Sequence, residues 1–128
     1  MSLRVPLARV LGRGSARHGV HEWWLQRLTS IALVPLGIGF AVSLAGLPAL
    51  DYVTLAGWLK QPLAAFGMVL LVLVAARHSQ LGLRVIVEDY VYSSGSKTVL
   101  LVLNDFAHVV ATLAGVFAIV KVALREHL

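Results

Sequence analysis

The chain has 128 residues, 59% of them hydrophobic and 13% charged, with mean hydropathy +0.84, which is more apolar than a soluble domain of this length can bury in one core, so the bilayer is its solvent. The absence of cysteine excludes disulfides, thiolate metal sites and cysteine-held iron–sulfur clusters within the chain and leaves histidine as the soft ligand, so any redox cofactor held here would be a haem. The formal charge of +5 and pI near 10.3 do not point to nucleic acid. The basic residues gather at the N-terminus and beside apolar runs, without the basic aromatic surface that strand binding uses, and membrane orientation accounts for them.

Residues 28–50 carry no charge and, with Trp23, Trp24 and Arg27 at the near end, satisfy the roughly 20-residue requirement for a first span. The paired tryptophans suit the interfacial belt, and Pro35 is tolerable where neighbouring helices repack around a kink. The following LPALDYVTLAGWLKQP, with Pro48, Asp51, Lys60 and Pro62, reads as a short polar connection with a partly interfacial turn.

The second span begins near Leu63. Its uncharged part ends at Ala76, about 21 Å along a helix and too short to cross, so the helix continues through Arg77 to about Tyr90 and carries polar residues into the membrane. Ser93 to Lys97 is a flexible turn, and a third span holds Asn104, Asp105 and His108 in its first half. The expected architecture is all-α and integral to the membrane. A cytoplasmic segment over 1–22 precedes one anchor domain over 23–128, with spans at about 24–50, 63–90 and 98–121.

Arg4, Arg9, Arg13, Arg17 and Lys97 fall on one side of this topology, and Lys60, Lys121 and Arg125 on the other. The bias favours a cytoplasmic N-terminus. An Arg-rich, acid-poor start also fits a mitochondrial transit peptide, but no apolar signal-peptide core precedes the first span, and a bacterial inner membrane is the favoured location.

The stretch RHSQLGLRVIVEDY at the end of the second span concentrates the chemistry. On a helix His78 and Asp89 return to within about 20° of each other, about 16 Å apart along the axis, on a stripe that also holds Gly82 and Val85. A histidine at bilayer depth must be neutral or paired. It can give one nitrogen to iron while the other donates, or serve as a hydrogen-bonded interhelical residue. Gly82 suits either a flat ligand or close helix packing. Arg84 reads as snorkelling or pairing with Glu88, and the deeper Arg77 as a partner for propionates or lipid headgroups. Tyr90 and Asp89 serve as a polar boundary, or as a phenol and carboxylate that bind and protonate a quinone. His108 is most simply a polar contact, with Asp105 three residues earlier, and less simply a second iron ligand. His18 and His127 lie near the ends and read as solvated.

The combination of His78, Gly82, Asp89 and Tyr90 at this spacing, with HEWWLQRLTSIALVPL at the first span, resembles the small membrane-anchor subunits, the D chains, of succinate dehydrogenase. The resemblance implies a three-helix subunit forming part of a heteromeric bundle. It implies that His78 is one axial ligand of a b-type haem, the second histidine coming from a partner membrane subunit, the C chain. Tyr90 and Asp89 would bind ubiquinone and support its protonation, and Arg27 and His21 would contact haem propionates. Further partners would be an iron–sulfur subunit, a flavoprotein subunit and membrane lipid. Succinate oxidation on the flavoprotein would link the tricarboxylic acid cycle to respiratory electron transport, with no catalytic residue in this chain itself.

The alternative from another class is a small transporter or proton relay using His78, Asp89, Asp105 and His108 as a polar path, weakened by the lack of an inverted repeat. An anchor that has lost its haem, and a fumarate reductase running the chemistry in reverse, are nearer relatives of the same expectation.

Overall fold

The computed structural model describes residues 15–125, with side chains from Gly19 onward. Arg4, Arg9, Arg13 and His127, and the side chains of Arg17 and His18, lie outside the described residues, as does most of the expected cytoplasmic segment. The elements are α1 (Ser15–Ala45), α2 (Tyr52–Leu59), α3 (Pro62–Tyr90) and α4 (Ser94–Ala123), with no strand among the described residues. Three of them are long and apolar enough to cross a membrane.

Helix α1 stops at Ala45 although the uncharged run continues to Leu50. The Gly46 N–H still reaches Val42 O at 3.1 Å, but the Leu47 N–H turns back only to Leu44 O, and Pro48 has no N–H with which to continue. The connection expected beyond it contains a helix of its own. Asp51 sits in extended backbone conformation and its side chain accepts the Thr54 N–H at 2.8 Å, capping α2. Hydrogen bonds from the Thr54 side chain and N–H hold the Asp51 carboxyl below its ordinary range. Pro62 then opens α3 at a position where a missing N–H costs nothing.

At its other end α3 gives way at Val91 to extended backbone, and the Lys97 ammonium donates to Glu88 O at 2.8 Å, satisfying a carbonyl of the last turn. Helix α3 is the middle element, packed against α1 on one side and α4 on the other. The N-terminal half of α1, the C-terminal half of α3 and the N-terminal half of α4 therefore share one end of the bundle. Gly115 permits the α3–α4 approach, since a Cβ there would meet Val72 Cγ1 at 3.1 Å.

Among the described residues only Leu81 and Ile119 are buried apolar side chains. Three helices with so little of their surface enclosed are not a self-sufficient core; lipid and other helices are the surroundings that their apolar faces require.

Candidate functional site

At 29 residues, α3 is about 44 Å long, well beyond the roughly 30 Å of hydrocarbon, so its last turn emerges while His78, about 18 Å back from Tyr90, lies deep. The imidazole of His78 is half-buried and turned toward α1. Its Nδ1 lies 3.0 Å from Thr29 Oγ1 and its Nε2 3.5 Å from Gln26 Nε2. Gly82 faces the same neighbour: a Cβ there would meet Gln26 Nε2 at 3.8 Å. Gln26 thus lies over the His78–Gly82 face, with its Oε1 buried and without a hydrogen-bond partner among the described residues.

The direct ion pairs of Arg84 are not with Glu88, one turn away on its own helix. Its guanidinium donates to Glu22 Oε1 at 2.7 Å and to Asp105 Oδ2 at 3.1 Å, joining all three long helices. Asp105 Oδ1 also accepts from Gln80 Nε2 at 2.8 Å, and Gln80 Oε1 accepts from Arg77 at 2.7 Å. Arg77 is exposed and held along its own helix. Two cations and two anions are brought to electrical balance, and the Asn104 amide adds a bond to Gln80 O at 3.0 Å.

His108 does not use Asp105. Its Nδ1 contacts Asn104 O at 2.8 Å and its Nε2 contacts Ser79 Oγ at 3.1 Å. His78 looks to α1 and His108 to the α3–α4 seam, so the two rings share no pocket and do not form a pair of ligands to one iron. Asp105 is engaged by Gln80 and Arg84.

Asp89 and Tyr90 end α3 in the open, Tyr90 at 75% exposure; this chain supplies them at one edge and does not enclose them. Arg27 lies over the Trp23 ring at 5.2 Å, with Trp24 edge-on to Trp23. His21, six residues before Arg27, is exposed. The structure brings His78 and Gly82 together and leaves Asp89, Tyr90, Arg27 and His21 on the surface, without direct contact to the imidazole.

A cavity of about 320 Å³ lies at the opposite end among Pro35, Phe40, Trp58, Gly67 and Met68. None of the side chains that line it is titratable.

A match to the succinate dehydrogenase/fumarate reductase transmembrane subunit family covers residues 1–115. The chain belongs to that family. Succinate dehydrogenase hydrophobic membrane anchor subunits are similar to it along most of their length. The Rickettsia bellii protein is 25% identical over 116 residues, covering 91% of this chain and 93% of its own. The Rickettsia felis protein is 30% identical over 100 residues, 78% and 83% of the two chains. As a succinate dehydrogenase/fumarate reductase transmembrane subunit, the chain is an integral part of an oxidoreductase complex, and its three apolar helices make it a multi-pass membrane protein.

Sequence reasoning missed Gln26 and Thr29, the two residues that touch the His78 ring, and Glu22, the partner of Arg84. The available signal was that Thr29 and Ser30 are hydroxyls at the head of a run otherwise almost free of polar groups.

Proposed function

We propose that the chain is the anchor subunit of a bacterial succinate dehydrogenase, residues 23–128 forming one domain whose His78 would hold the iron of a b-type haem and whose Tyr90 and Asp89 would contribute to a ubiquinone site. The observation that carries this reading is the polarity of the His78 ring: Nδ1 faces a hydroxyl that can accept its N–H, and Nε2 faces only the flexible side-chain amide of Gln26, which also covers the Gly82 position. A metal-ligating imidazole ordinarily donates its other N–H in this way.

The donor set fits the group. No cluster of three or more His, Cys, Asp or Glu that could hold a bare metal ion occurs among the described residues, and a porphyrin, bringing four nitrogens of its own, asks this chain for a single imidazole. Gln26, a flexible side chain whose carbonyl is unpartnered, is the element that would move aside. When bound, the haem supplies a one-electron store beside the quinone pathway. His78 would hold it and Gly82 would leave room for its face. Arg27 and His21, at the same end of α1, are the propionate contacts we propose, the guanidinium exchanging its Trp23 face for a carboxylate.

Quinone reduction takes up two electrons and two protons. The Tyr90 hydroxyl can donate to a quinone carbonyl oxygen, and Asp89 beside it can accept and pass on a proton. Their exposure suits a site completed by other subunits: a C-chain membrane partner that also supplies the second histidine, and an iron–sulfur subunit carrying electrons from a flavoprotein. Residues 1–22 and the Asp89–Tyr90 end then face the cytoplasm.

Two outcomes test this reading. Tyr90→Phe raises the KM for ubiquinone about five- to tenfold, the worth of one hydrogen bond, with haem content unchanged, as measured by steady-state succinate:quinone assays on the purified complex. An unaltered KM removes the hydroxyl from the site. Gly82→Ala leaves the chain folded, because the nearest atom to the added methyl lies at ordinary contact distance, yet lowers haem retention about tenfold through overpacking. Full haem retention in a folded variant contradicts a haem face at Gly82.

A further inference from the structure

We infer that Thr29 is a positioning residue that selects the tautomer of His78. Its importance to function rests on the ligand role proposed for His78, but the tautomer itself belongs to the chain without haem.

Thr29 Oγ1 lies 2.8 Å from Leu25 O and 3.0 Å from Gln26 O in its own helix, and 3.0 Å from His78 Nδ1 on α3. A hydroxyl has one hydrogen and two lone pairs. The two carbonyls can only accept, so they take that hydrogen between them, and what remains for His78 is a lone pair. Nδ1 must then be the protonated nitrogen, donating to Thr29.

The other end of the ring leaves this assignment free. With the proton on Nδ1, Nε2 keeps a lone pair to which the Gln26 side-chain amide at 3.5 Å can turn its N–H₂, a long and weak contact. With the proton on Nε2, Thr29 would have to withdraw its hydrogen from a 2.8 Å contact. The Thr29 end decides the tautomer, and it is the one that leaves Nε2 able to bind a metal.

This arrangement accounts for a hydroxyl that otherwise has no evident use. A threonine bonded back to its own helix gains little there and tends to bend it. Here the back-bond fixes the direction of the lone pair, and the lone pair fixes a ring on the neighbouring helix. The hydrogen bond holds the orientation of the ring and makes Nε2 a stronger electron donor.

The test is ¹⁵N solid-state NMR of the full, haem-free chain with labelled histidine in lipid bilayers, the His78 signals being identified by their loss in His78→Ala. The Nδ1–H form exceeds the Nε2–H form about tenfold in the wild type, as one hydrogen bond supports. Thr29→Ser preserves the ratio, and Thr29→Val, similar in shape but lacking the hydroxyl, brings it near unity. An Nε2–H majority in the wild type, or a ratio that survives in Thr29→Val, overturns the inference. The expected ratios in a chain whose complex has no haem spectrum uphold the inference while the ligand role of His78 falls, so the two can fail separately.

Discussion

Replacing Arg84 with methionine destabilises the three-helix unit by about 2 kcal/mol, between the loss from an exposed ion pair and that from a buried one, because Glu22 and Asp105 keep 35% and 41% of their side-chain surface exposed. The loss comes less from the missing attraction than from what remains. Two carboxylates, drawn from α1 and α4 toward a helix now without a cation, must be protonated or pull away from the seam. Removing all three charges together, as Arg84→Met with Glu22→Gln and Asp105→Asn, recovers much of the loss, because no carboxylate is then left at the seam without a cation and the remaining Arg77 is exposed. The measurement is thermal or denaturant unfolding in matched micelles. A single variant as stable as the wild type, or a triple variant less stable than the single, shows that the cluster does not hold the helices in register.

The three spans were legible because a membrane writes its demand into composition: runs without charge, bounded by Trp23, Trp24 and Lys60, need no tertiary knowledge. Helix α2 was partly legible. Asp51 three residues before Thr54 and an apolar run is an N-cap signature, but Pro48, Lys60 and Pro62 around it pointed to a turn. The end of α1 was misjudged because hydropathy does not register that Pro48 lacks a donor.

The site divides along a similar line. Helical periodicity places His78 and Gly82 on one face, and both do face α1. Periodicity offered Arg84 only Glu88, one turn away, whereas its partners are 62 and 21 residues distant. Thr29 and Gln26 are likewise some fifty residues from the ring they touch. Pairings of that range are decided by which helix faces meet, and a single sequence does not record it. For the same reason His108 was assigned to Asp105, three residues back, when Ser79 across the seam takes its Nε2.

His78→Ala has the other large consequence, and its effect on the fold should be small. The ring bears no salt bridge. Its loss leaves a hydroxyl with its hydrogen already committed to backbone carbonyls, and an amide whose contact to the ring was long. No charge is stranded, so the helices stay assembled, in contrast to Arg84→Met. Iron ligation, in contrast, admits no substitute on this face. Thr29 is a poor ligand, and His108 looks to the opposite flank of α3.

The decisive measurement is the dithionite-reduced minus oxidised absorption spectrum of the purified membrane complex, wild type against His78→Ala, with subunit content checked on the same samples. A low-spin b-type signal in the wild type, abolished or converted to a high-spin form in an alanine variant that still assembles, is the result expected. Bands of unchanged position and amplitude in that variant contradict His78 as the iron ligand.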